Sequence, residues 1–88
     1  MSRIVSIPGP KGHPVHIRAR DIVMLDLIDL GAGEWATKVF VCSGGESYTA
    51  WTAPLDNLDD ARDLHDQIFR DWEDALRDEA YTIRKQFS

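Results

Sequence analysis

From Leu58 to Phe87 the apolar side chains recur mostly at three- and four-residue steps: Leu58, Ala61, Leu64, Ile68, Trp72, Leu76, Ile83 and Phe87. That spacing lays them along one stripe of an α-helix, which Phe69 and Ala75 widen. Pro54 stops whatever precedes the stripe, and Asp56 or Asn57 offers a side-chain cap. Asp59 and Asp60 follow in the first turn, where the positive end of the helix dipole favours acids. A helix over about 57–86 takes a third of an 88-residue chain. At about 1.5 Å per residue it would run roughly 45 Å. It has a single apolar stripe to bury, so the earlier residues must build one surface that receives it. The turns from about Tyr81 onward are expected to overhang a sheet this small.

Those earlier residues change period. Arg3 to Ile7 and Val15 to Ala19 alternate and are β-branched, which predicts two short strands. Pro8-Gly9-Pro10-Lys11-Gly12-His13-Pro14 between them is too rich in proline and glycine for anything but a connector. Pairing about its centre sets Val5 and Ile7 beside Ile17 and Val15 on one face, with Ile4, Ser6, His16 and Arg18 on the other. Ile22 to Leu30 reads as a strand rather than a short helix, because it is short, β-branched near both ends and boxed by turn signals. Gly31-Ala32-Gly33-Glu34 turns the chain into a strand over Ala36 to Cys42. Ser43-Gly44-Gly45-Glu46 is a two-residue hairpin signal, since a Gly-Gly pair accepts the positive φ such a turn needs. It predicts the facing pairs Lys38–Trp51, Val39–Ala50, Phe40–Thr49, Val41–Tyr48 and Cys42–Ser47.

This register makes the sheet apolar on both sides. Val39, Val41, Tyr48 and Ala50 share one face; Phe40, Cys42 and Trp51 share the other. The preceding strand doubles in the same way, with Ile22, Met24 and Ile28 against Val23, Leu25 and Leu27. One helix covers one face only. A second apolar face needs a cover, and a partner or a second copy of the chain is the expected one, the homodimer forming through this face or through the helix overhang. Phe40, Lys38, Trp51 and Trp35 are the candidate contact residues there, tryptophan being enriched among interface hot spots.

The net charge sits on the C-terminal segment, the first 54 residues summing to zero. The chain carries −5 overall, and Asp56, Asp59, Asp60, Asp63, Asp66, Asp71, Glu73, Asp74, Asp78 and Glu79 outnumber Arg62, Arg70, Arg77, Arg84 and Lys85 by that amount. An acidic balance argues against direct nucleic-acid or anionic-membrane binding, which need a basic patch. Where charge serves docking, the protein partner is basic. Asp59, Asp63, Asp66, Asp74 and Asp78 are the candidates on that surface, and in the extreme case they imitate nucleic-acid phosphates. An acidic inhibitor of a nucleic-acid-binding protein, of the phage anti-restriction or anti-CRISPR type, is thus the alternative reading. Arg62, Arg70 and Arg77 dilute the row, and a solvated face that keeps a small domain soluble explains it more simply.

Chemistry-bearing patterns are missing. Cys42 with His16 or His65 has no third orienting group, and His13 with His16 is half a zinc site. Gly9-Pro10-Lys11-Gly12 lacks the lysine-hydroxyl ending of a phosphate loop. No catalytic residue, cofactor or metal is expected. The lone Cys42 excludes an internal disulfide and suits a reducing cytoplasm. Arg3-Ile4-Val5-Ser6-Ile7-Pro8 offers no secretory stretch, and Ile22-Val23-Met24-Leu25 is far short of a membrane span. The expected fold is α+β over a single domain: an antiparallel β-meander of four to five strands (3–53) with one long C-terminal α-helix packed on one face. The expected function is a small, non-enzymatic, cytoplasmic protein–protein interaction or regulatory module that forms a homodimer.

Overall fold

A computed structural model describes the backbone of residues 3–87 and the side chains of residues 3–78. Five strands precede one helix: β1 (Ile4–Pro8), β2 (Pro14–Arg18), β3 (Ile22–Gly31), β4 (Glu34–Ser43), β5 (Glu46–Trp51) and α1 (Leu58–Phe87). The fold is α+β, its strand pairings antiparallel, with the helix packed against the strands. The segment from Ile22 is strand, as its boxed, β-branched character implies.

The strands form two ladders, β1–β2 and β3–β4–β5. A backbone bond of 2.9 Å, from the Ala53 N–H to the Pro8 carbonyl, ties the end of β1 to the chain leaving β5. The first hairpin pairs Val5 with Ile17 and Ile7 with Val15, the expected register. Its connector folds into a 3-10 turn at Pro10–Gly12. Gly9 closes that turn by donating its N–H to the His13 carbonyl at 3.0 Å. A Cβ on Gly9 would lie 2.5 Å from that carbonyl oxygen and 2.7 Å from Val15 Cγ2. Gly9→Ala should therefore cost about 1–3 kcal/mol by overpacking, read as a lower denaturant midpoint with unchanged slope. An unshifted midpoint would show that the connector moves aside.

Every expected pair of the second hairpin is present, from Lys38↔Trp51 to Cys42↔Ser47. Gly44 (φ 61°) and Gly45 (φ 85°) both take the left-handed conformation of the primed turn. On β3 a bulge corrects the expected facing. Ile22 pairs with Val41 and Met24 with Phe40, so two steps on β3 oppose one on β4. The extra residue, Val23, shifts Ile22 to the side of Leu25 and Leu27, whereas unbroken alternation would have kept it beside Met24. Ile22 is consequently buried.

The core lies between α1 and one side of both ladders. Val5, Ile7 and Ile17 from the first hairpin meet Ile22, Val39, Val41 and Ala50 from the second ladder, and Ala19 belongs to the same cluster. Ile68 and Ala75 enter from the helix, and Leu64 and Trp72 pack against them. Asn57 caps the helix, its Oδ1 accepting the N–H groups of Asp59 (2.9 Å) and Asp60 (3.2 Å). The buried line is Ala61, Ile68 and Ala75, a step of seven residues, so alanines let the backbone sit close to the strands. Leu76, expected on the stripe, is 37% exposed while its neighbour Ala75 is buried. Trp72 is half-buried and donates its indole N–H to the Ala19 carbonyl at 3.0 Å. Phe69 meets it edge to face at 5.9 Å. Ile83 and Phe87, together with the overhang expected from Tyr81, lie outside the described side chains.

Candidate interaction surface

Strand alternation fixes what points away from the helix. On β4, Val39 and Val41 are buried in the core, so Lys38, Phe40 and Cys42 project from the opposite side. Cross-strand pairing adds Met24, Asp26 and Ile28 from β3, and Thr49 and Trp51 from β5. Phe40, Lys38, Trp51 and Ile28 are half-buried there, whereas Met24 stands 47% exposed and Cys42 is exposed. Beyond them lies an apolar hollow of about 230 Å³, lined by Pro10, Leu30, Ala36, Trp51, Thr52 and Pro54.

Of the four sheet residues expected to act together, the structure gathers three. The Lys38 ammonium lies 4.7 Å from the Phe40 ring centre and 5.4 Å from that of Trp51. Such contacts contribute about 0.5–1 kcal/mol each at exposed sites. They follow from register: Trp51 is directly across from Lys38, and Phe40 is the next residue on the same side of β4. Trp35 does not belong to this group. It is an even number of steps from Val39 and Val41, so alternation turns it to their side of β4. Its N–H and carbonyl are both bonded to Leu55, at 2.8 Å each. The expectation for Trp35 is corrected accordingly.

Sequence reasoning missed Met24, Asp26 and Ile28 as members of this surface. Asp26 sits directly across from Lys38, yet the ion pairs among the described residues are Arg3–Asp78, Arg18–Asp21 and Arg77–Asp74. The lysine is turned to the rings instead. A register shift between Asp29 and Gly31 hid them: counted straight back from the Gly31–Glu34 pair, Asp26 and Met24 would fall across from Val39 and Val41, on the core side.

The outer edge of β3, like that of β5, is unpaired in this ladder. The bulge at Ile22/Met24 interrupts its hydrogen-bonding row, and Asp26 and Asp29 sit on it. Bulges and charges of this kind discourage edge-to-edge pairing. On the open face an acid and a base, Asp26 and Lys38, are paired across the two strands.

Asp59, Asp63, Asp66, Asp74 and Asp78 are all exposed on α1. Asp74 pairs with Arg77 at 3.5 Å, and Asp78 with Arg3 at 3.4 Å. Pairs this exposed contribute little to stability but do soften the negative row. Cys42 faces away from the helix that carries His65, and His16 is hydrogen-bonded to Ser6 (Nδ1 to Oγ, 2.7 Å). The structure therefore assembles no thiol–imidazole pair from them. Two buried polar atoms, Thr37 Oγ1 and His65 Nδ1, have no hydrogen-bond partner among the described residues. No group of three or more His, Cys, Asp or Glu side chains is placed to hold a metal among the described residues. No described helix is long and apolar enough to cross a membrane. Comparison with protein-family models, curated proteins and solved structures finds no match for this chain.

Proposed function

We propose that this protein is a small, non-enzymatic protein–protein interaction module that self-associates through the sheet face its helix leaves open, and that it works as a regulatory unit in the cytoplasm. One observation carries the reading. The helix covers only the Val39 and Val41 side, while Met24, Ile28, Phe40 and Trp51 form an apolar row on the other side. Apolar surface of this kind, with the pair Asp26 and Lys38 in its middle, is characteristic of a contact site. Area sets the affinity class. Two ten-residue strands and one six-residue strand at about 3.4 Å rise and about 4.8 Å spacing give roughly 400 Å² per copy in plan. Doubled, that is at most about 800 Å², below the roughly 1,200 Å² of a stable specific complex, so the association is weak and reversible.

Cys42 reports on the face directly, because its thiol is exposed there. Its labelling by a maleimide should be several-fold slower at tens of micromolar protein than at tens of nanomolar, under otherwise equal conditions. A rate independent of protein concentration would sink the sheet-face reading. The alternative reading, an acidic inhibitor that imitates nucleic acid, rests on the helix acids alone. Its two C-terminal members, Asp74 and Asp78, are already paired with arginine.

A further inference from the structure

Between β3 and β4 the open face carries three cross-strand pairs, and each joins unlike partners. Met24 lies across from Phe40, Asp26 across from Lys38, and Ile28 across from Ala36. All three pairs straddle the same line, the seam between β3 and β4. Taking the self-association above as its basis, we propose that two copies stack face to face about a two-fold axis running along this seam. Asp26 of each copy then meets Lys38 of the other.

The axis follows from exchange symmetry. Rotation about a line parallel to the strands and midway between β3 and β4 carries each residue over the position of its cross-strand partner. Met24 thus falls over Phe40 of the second copy, a thioether on an aromatic ring. Ile28 falls over the position of Ala36, which is itself buried at 3% exposure and adds no contact surface of its own. Asp26 falls over Lys38, and by symmetry the contact occurs twice. Stacked sheets lie about 10 Å apart, a gap that an aspartate and a lysine reaching from opposite sides span. A two-fold laid across the strands at the same level would instead stack Asp26 on Asp26 and Lys38 on Lys38. Like charges placed together in that way are costly at an interface.

Charge completes the case. Neither Asp26 nor Lys38 has an ion-pair partner among the described residues. The lysine lies over Phe40 and Trp51 and stands on β4, the middle strand, which β3 of the second copy would cover. The face therefore holds one acid and one base in the positions that the seam axis interchanges. Its chemistry is that of a surface complementary to itself.

The test is a charge exchange. Asp26→Lys and Lys38→Asp are made singly, and their masses and dissociation constants are measured by sedimentation at low salt. Each alone should self-associate at least about tenfold more weakly than the wild-type chain, since both inter-copy contacts become like-charged. Mixed in equal amounts, the two variants should regain dimer mass. In the mixture one chain carries a lysine at both positions and the other an aspartate at both, so each inter-copy contact again joins opposite charges. Circular dichroism melts verify that both variants are folded. The neutral variants Asp26→Asn and Lys38→Gln give a second route, with a flatter dependence of association on salt expected for each. Failure of the mixture to regain dimer mass, while Phe40→Asp still abolishes association, overturns the seam axis and leaves the sheet-face reading intact. A wild-type chain that stays monomeric, or association untouched by Phe40→Asp, overturns both.

Discussion

Ile68→Ala should remove about 2–5 kcal/mol of stability, the range for truncating a fully buried isoleucine. A chain of 88 residues has about 4–13 kcal/mol in all at the usual 0.05–0.15 kcal/mol per residue. The loss is therefore a large fraction of the total. Ile68 is 2% exposed and is the largest buried helix residue in the shared core, where the first hairpin and the β3–β4–β5 ladder both meet α1. Truncation leaves a void that two separate ladders would have to move to fill. The thermal unfolding midpoint should drop by roughly 8–40 °C at about 4–8 °C per kcal/mol for a domain of this size. Leu76→Ala is the contrast. The sequence pattern sets both residues on one stripe, but Leu76 is 37% exposed and should cost under about 1 kcal/mol. Equal losses at the two positions would mean that a different side of the helix meets the strands. Because self-association adds apparent stability by mass action, both variants are best compared at one low protein concentration.

Phe40→Asp should have the opposite profile: association abolished, fold retained. Phe40 is half-buried, on the side of β4 away from the core, and its neighbours there are Lys38 and Met24 rather than helix residues. A carboxylate at its position would face Met24 of a second copy in a desolvated contact, where an unpaired charge costs several kcal/mol. In the monomer the same carboxylate stays in water and beside the Lys38 ammonium. The chain should then sediment as a monomer at all concentrations, with a circular dichroism spectrum matching the wild type. Outright unfolding would instead mark Phe40 as a core residue.

Much of the fold is legible in the sequence because the governing signals are local. Gly44-Gly45 fixes the second hairpin, and once the turn is fixed every pair from Lys38–Trp51 to Cys42–Ser47 follows by counting. The cap at Asn57 and the helix beyond it are equally local. What escapes is non-local or non-periodic. Register shifts leave no compositional mark: the one between Ile22 and Met24 puts Ile22 on the face that alternation denies it, and the one between Asp29 and Gly31 joins Met24, Asp26 and Ile28 to Phe40. The division into two ladders depends on how the end of β1 meets the chain after β5, a contact made at Ala53 and Pro8. The choice of Ala75 over Leu76 for the core depends on how closely the helix approaches the strands. Trp35 is a different case. Its parity with Val39 is readable by counting, and its proximity to a turn is the weaker guide.

The most direct test of the open face as a self-association surface is the mass of the wild-type chain by gel filtration with light scattering at tens of micromolar. A mass near twice 10.0 kDa, falling toward 10.0 kDa on dilution, is the expected result. A mass of 10.0 kDa at every concentration would contradict it.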